Sequence, residues 1–148
     1  MTDLQPGASV SHGSAFARVV LRPVARTINP LMRRIAGRWY VSFASIVYHL
    51  GRSSGREYAT PTEGRVFGDR VVIPLAFGTG SDWCRNIRAA GRGRIRWRGK
   101  EYEINSPEVF TYGPVRRLVR DVFPAWERVT FRIMGFSEFL VLQAGKPN

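Results

Sequence analysis

Ile46-Val47-Tyr48-His49-Leu50-Gly51-Arg52-Ser53-Ser54-Gly55-Arg56-Glu57, closed shortly afterwards by Thr60-Pro61, is the stretch on which the fold of this chain turns. Its opening is apolar and β-branched, the composition of a strand. Gly51 and Gly55 then punctuate a tight loop with arginines and hydroxyls between and beside them. Such a loop can turn main-chain N–H groups and guanidinium groups toward a phosphate or carboxylate. A plain hairpin turn that happens to carry arginine accounts for the same residues equally well.

A second signature separates the two readings. Pro74-Leu75-Ala76-Phe77-Gly78 is followed by Asp82-Trp83-Cys84-Arg85-Asn86 and then by Ala89-Ala90-Gly91. In order and spacing, the two blocks resemble the deazaflavin-dependent nitroreductase family, oxidoreductases that use coenzyme F420. Members carry a Gly-Arg-basic-Ser-Gly loop after the first barrel strand, a Thr-Pro in the second, and a Trp-x-x-Asn opening the helix after the third. Here these are Gly51 to Gly55, Thr60-Pro61, and Trp83 with Asn86. The resemblance runs from about Ile46 to Leu142. It implies a split β-barrel of the FMN-binding, pyridoxamine-phosphate-oxidase-like kind, mainly β with inserted helices, and a deazaflavin as cofactor, with FMN as second choice.

The resemblance also implies a set of cofactor-binding residues. Arg52 and Arg56 would clamp the phosphodiester or the acidic tail, with Ser53, Ser54 and the glycines Gly51 and Gly55 shaping the loop. Thr60 and Pro61 stand where the family's second strand passes the deazaflavin. Ala76, Phe77 and Gly78 stand where main chain approaches the ring system. Trp83 would pack beside the cofactor, and Asn86, one helical turn on, would fix the loop or the coenzyme. One departure is Ser53, where many members have a basic residue. Each of these residues also has a plain structural reading: solvated turn residues, an edge-strand proline, a core tryptophan.

The charge balance agrees with an anionic partner. The 148 residues hold 23 Lys+Arg against 11 Asp+Glu, a formal net charge of +12. Such a field attracts nucleic acid, an acidic membrane face or a polyanionic cofactor. The deazaflavin coenzyme, with a phosphodiester and several glutamates, suits the third. One cysteine, Cys84, allows no internal disulfide and suits a cytoplasmic setting. His12, His49 and Cys84 have no spacing expected of a zinc site, so no metal is expected. No apolar run is long enough to span a bilayer, and the N-terminus lacks the order of a signal peptide.

The length suits one domain. Residues 1–14 read as a disordered tail and 15–38 as a basic amphipathic helical segment broken by Pro23 and Pro30. That segment would either lie on the inner face of the cell membrane or, the simpler arrangement, pack its apolar stripe on the barrel. Residues 39–145 read as the barrel domain. Its expected strands are Trp39 to Leu50, Glu57 to Val66, Arg70 to Ala76, and a hairpin of Gly93 to Trp97 with Glu101 to Ile104. A last strand runs from Phe139 to Leu142. A helix is expected from Ser81 or Asp82 to Gly91, and another from Pro114 to about Arg132 with a break at Pro124. Short strands, tight turns and inserted helices together argue for a small antiparallel barrel.

There is no Rossmann fingerprint, since Gly91-Arg92-Gly93 follows a helix and precedes a strand, and no nucleophile elbow. Redox chemistry would therefore come from the cofactor. The acceptor side is less defined. Family members carry tyrosines in the C-terminal helix, where this chain has Phe123-Pro124-Ala125-Trp126 and Val129. The missing phenols count against proton donation to a nitroaromatic, Tyr48 and Tyr112 remain as candidate proton donors, and an apolar, aromatic pocket would suit a quinone, a planar hydrophobe or a lipid chain better than a sugar. The competing functions are a non-catalytic barrel carrying deazaflavin, FMN, haem or fatty acid, and a nucleic-acid-binding barrel using Arg94, Arg96, Trp97 and Arg98. Monomer and homodimer both fit the sequence.

Overall fold

A computed structural model describes residues 45–148 of the chain; the tail, the basic segment at 15–38 and the first residues of the expected first strand lie outside the described residues. Seven strands form one antiparallel sheet, β1 (Ser45–Leu50), β2 (Glu57–Thr62), β3 (Arg65–Phe67), β4 (Arg70–Pro74), β5 (Arg92–Trp97), β6 (Lys100–Thr111) and β7 (Glu138–Pro147). Three helices are inserted: α1 (Asp82–Ala90) between β4 and β5, and α2 (Tyr112–Val122) and α3 (Ala125–Ile133) between β6 and β7. The spatial order is β2-β1-β5-β6-β7-β4-β3.

That order forces a barrel. β2 and β3 occupy opposite edges of the sheet, yet only Glu63 and Gly64 separate them in sequence. Laid flat at ~4.8 Å per strand, the edges would stand roughly 29 Å apart. The three Cα steps from Thr62 to Arg65 reach at most about 11 Å. The sheet must therefore curl until its edges nearly meet. At the crossing, Gly64 is buried, and a Cβ there would come within 2.9 Å of Ile73 and 3.1 Å of both Ile95 and Ser45. The sequence reads Glu57 to Val66 as one strand; the structure splits it, because the chain must pass from one sheet edge to the other at Gly64.

The remaining strands supply curvature and core. β5 and β6 join through Arg98-Gly99, both with positive φ (51° and 78°), the two-residue turn whose twist suits a hairpin. β6 is long and slips register between Tyr102 and Ile104 and between Asn105 and Glu108, and such bulges coil a sheet. β4 and β7 are apolar on both faces because both are covered. Val71, Ile73, Leu140 and Leu142 point into the barrel with Val47, Ile95 and Ile104. Val72, Phe139 and Val141 point outward to Val115, Val119, Phe123 and Phe131 of the helical hairpin.

α1 plugs the barrel with Cys84 and Ile87. It stops at Gly91, whose φ of 70° lets its N–H reach back to the Ile87 carbonyl. The α2–α3 hairpin is held to β3 by Arg65, which pairs with Glu127, donates to the Val122 carbonyl at 3.3 Å and lies 5.0 Å from the Phe123 ring centre. The expected break at Pro124 falls between the two helices. β4 ends at Pro74, short of the expected Ala76. The Gly78 N–H folds back to the Leu75 carbonyl at 3.1 Å, turning Ala76 and Phe77 out of the ladder.

Candidate functional site

The β1–β2 connection is a compact loop closed on itself. The Gly51 N–H donates to the Arg56 carbonyl and the Gly55 N–H to the Gly51 carbonyl, both at 2.8 Å. Gly55 takes φ 66°, open to glycine at no steric cost. Gly51 has no room for a side chain: a Cβ would meet Ser54 Oγ at 2.4 Å and the Tyr58 ring at 2.8 Å. The loop thus folds over its own strand, and a cleft of about 610 Å3 opens between it, the exposed face of β2 and the start of α1.

A chain of hydrogen bonds ties this loop to the barrel. Arg52 donates to Asn86 Oδ1 from its main-chain N–H at 3.1 Å and from Nη1 at 2.8 Å, and its Nη2 donates to Asp82 Oδ1 at 3.1 Å. Because Asn86 spends its oxygen on Arg52, its Nδ2 is the donor toward His49 Nδ1, 3.0 Å away. His49 therefore carries its proton on Nε2 and donates it to Thr60 Oγ1 at 3.0 Å. The Thr60 hydroxyl keeps its own hydrogen for an acceptor in the cleft. Burial holds the imidazole pKa below the usual 6.5, against the smaller opposing pull of Asp82, so the ring is neutral near pH 7.

Asn86 and His49 are both buried, at 5% exposure each, whereas Arg52 and Asp82 reach solvent. The inner half of the chain is therefore rigid and the outer ion pair is screened. Trp83 lines the same cleft and also packs against the barrel core. Cys84, next to it, is buried, and burial pushes its thiol up to about 11, which leaves it inert.

Of the residues singled out in the sequence, Gly51, Arg52, Ser53, Ser54, Thr60, Trp83 and Asn86 converge on the cleft. Gly55 and Arg56 complete its loop. Arg52 and Arg56 differ: Arg52 is turned inward onto Asn86 and Asp82, while Arg56 makes no ion pair among the described residues. Among those residues too, the Ser53 and Ser54 amides have no main-chain acceptor. Pro61 is paired with Ile46 at the barrel edge. Ala76, Phe77 and Gly78 form the turn before α1 and do not line the cleft.

Neither candidate proton donor faces the cleft. Tyr48 lies on the outer surface of the sheet under the guanidinium groups of Arg94 (4.9 Å) and Arg96 (5.5 Å). Tyr112 packs on Phe139 beside the helical hairpin. The phenol that does line the cleft is Tyr58, 45% exposed, its hydroxyl 3.3 Å from Ser54 Oγ and its ring stacked 5.8 Å from His49. Sequence reasoning passed over it, although Tyr58 shares the face of Thr60 by the two-residue period of a strand.

Neither a family model nor a curated protein matches the chain. Solved structures do. A histidine-to-alanine variant of HupZ from Group A Streptococcus superposes with a TM-score of 0.50 at 16% identity, covering 82% of this chain and 98% of that one. An F420 reductase superposes at 0.46 with 12% identity over 78% and 94% of the two chains. A pyridoxamine 5′-phosphate oxidase-related, FMN binding protein from Nostoc punctiforme PCC 73102 gives 0.47 at 12% identity over 84% and 80%. At 16% identity the HupZ likeness speaks for the fold alone, and the curled antiparallel sheet described above is that of a split β-barrel; neither says anything of the chemistry.

Proposed function

We propose that this split barrel binds coenzyme F420 in the cleft and serves as an F420H2-dependent oxidoreductase for a hydrophobic acceptor such as a quinone or nitroaromatic. The observation that carries the reading is the chain Asp82–Arg52–Asn86–His49–Thr60. It locks an anion-binding loop to the cleft floor and leaves unspent donors on both.

The donor set fits the cofactor. A phosphodiester or glutamate tail would take the Ser53 and Ser54 amides and the Arg56 guanidinium, which have no other partners among the described residues. A cleft of about 610 Å3 falls in the range that encloses a cofactor-sized ring system. Trp83 and Tyr58 offer aromatic surface to a planar ring, and the Thr60 hydroxyl offers one fixed hydrogen-bond donor. When bound, the reduced deazaflavin supplies the hydride. The protein's part is to orient the ring, exclude water and hold a donor at Thr60 Oγ1. FMN, with a single phosphate, would use less of the loop.

A carrier reading is favoured by one observation, the location of Tyr48 and Tyr112 outside the cleft. The nucleic-acid reading loses its arginines: Arg94 is paired with Glu57 and Glu101, Arg96 with Glu101, and Arg98 stacks on the neighbouring Trp97. Steady-state oxidation of F420H2 by a naphthoquinone separates enzyme from carrier. Turnover that falls in Thr60→Val supports the enzyme; tight cofactor binding with no oxidation by quinone or nitroimidazole supports the carrier.

A further inference from the structure

From the surface of α3 we infer that the helix is a docking face for an anionic lipid bilayer. Six large apolar side chains are markedly exposed among the described residues, and three of them, Trp126 (66%), Val129 (55%) and Ile133 (80%), lie on this one helix. At 3.6 residues per turn, positions i, i+3 and i+7 form one stripe. Glu127 and Phe131, the buried residues of α3, face the opposite way into the hairpin core. The helix thus buries one side in the hairpin and turns an apolar stripe outward that stays exposed among the described residues.

The occupant follows from area and charge. The three side chains expose on the order of 400 Å2, the size of the largest apolar patch on a typical monomer, which is often functional. A stable dimer needs roughly 800 Å2 from each partner. The exposed charge of the helical hairpin is mainly basic. Arg132 stands exposed on α3, and α2 turns Arg116, Arg117 and Arg120 to solvent against Asp121 alone, while Glu127, the acidic residue of α3, is buried against Arg65. A second copy would bring a further net charge of +12 to a chain that already carries +12. An anionic headgroup layer complements that charge, and a tryptophan beside aliphatic residues seats well at the boundary between headgroups and acyl chains. The stripe lies on the outer face of the sheet with the helical hairpin, while the cleft belongs to β1, β2 and α1, so docking leaves the cleft free.

The test is co-sedimentation of the full-length protein with vesicles of phosphatidylcholine alone and of phosphatidylcholine with phosphatidylglycerol. Binding is expected only to the anionic vesicles, reduced at high salt, with a blue shift of emission that disappears in Trp126→Phe. Val129→Glu with Ile133→Glu should cut the bound fraction roughly tenfold, because two apolar anchors become charges repelled by the lipid. The milder Val129→Ser with Ile133→Ser, checked for folding by circular dichroism, should lose most of the binding too. The basic segment at residues 15–38 is intact in every variant. Unchanged vesicle binding in both double variants would transfer the contact away from α3 and overturn the inference. So would absence of wild-type binding, or a wild-type dimer that the same substitutions dissociate while vesicles are ignored.

Discussion

Removing the Asn86 side chain should unfasten the candidate site from the barrel. Asn86→Ala deletes two bonds received from Arg52, at 3.1 and 2.8 Å, and one donated to His49 at 3.0 Å. A neutral bond contributes about 1 kcal/mol and a charge-assisted one roughly 1.5–3 kcal/mol. Arg52 has 37% of its side chain in solvent, so its charged bond belongs near the low end of that range. His49 Nδ1 is left buried without a donor. The sum is about 3 kcal/mol, or a fall in Tm of roughly 10–15 °C for a domain of this size. F420 affinity should fall by about tenfold or more as the loop loosens. Asn86→Asp provides the control. The new carboxylate still accepts from Arg52 but cannot donate to His49, so the ring must carry its proton on Nδ1 and its pKa must rise. The variant should keep its fold and reverse the sign of the pH dependence, gaining stability as pH falls through the raised folded pKa to about 6.5 and holding level below it, where the native protein loses. Thermal melts and cofactor titrations measure both. A change in Tm under about 2 °C for Asn86→Ala, with unaltered affinity, would refute the reasoning.

Acidification should weaken the native protein. The folded pKa of His49 lies below its unfolded value of 6.5, so the unfolded chain binds the proton first and stability falls as pH drops from about 6.5 toward the folded pKa. His49→Gln should flatten that part of the stability–pH profile; an unchanged profile would place the titrating group elsewhere. Arg56→Ala should lower F420 affinity about tenfold while leaving Tm within roughly 1 °C, since this guanidinium has no ion-pair partner among the described residues to lose. Arg52→Ala should lower both, because its guanidinium is bonded to the barrel. Gly64→Ala should cost about 1–3 kcal/mol by thermal melt, as its Cβ would crowd Ile73, Ile95 and Ser45 where the sheet closes. An Ala variant as stable as the native chain would argue against that closure.

Much of this architecture was legible locally. A β-branched run ending at Gly51, the Gly91 helix stop and the Arg98-Gly99 turn are all set by neighbours in sequence. The crossing at Gly64 was not, because nothing between Glu57 and Val66 encodes that two sheet edges meet there. The site divides the same way. The loop and the Trp83/Asn86 helix could be named from their motifs. That Arg52 turns inward and Arg56 outward depends on Asn86, 34 residues away, and the role of His49 depends on the same amide. Ala76, Phe77 and Gly78 were drawn to the site by resemblance, but the Leu75–Gly78 turn carries them out of the cleft lining.

The central claim is that the loop and cleft hold a polyanionic deazaflavin. Titration of the purified protein with F420 and with FMN at low and at physiological salt, following bound fluorescence, tests it most directly. F420 should bind more tightly than FMN, and the preference should shrink as salt screens contacts beyond about 8 Å. It should shrink again in Arg56→Ala at low salt. Equal affinities for the two flavins, or a preference indifferent to both salt and Arg56, would contradict the account.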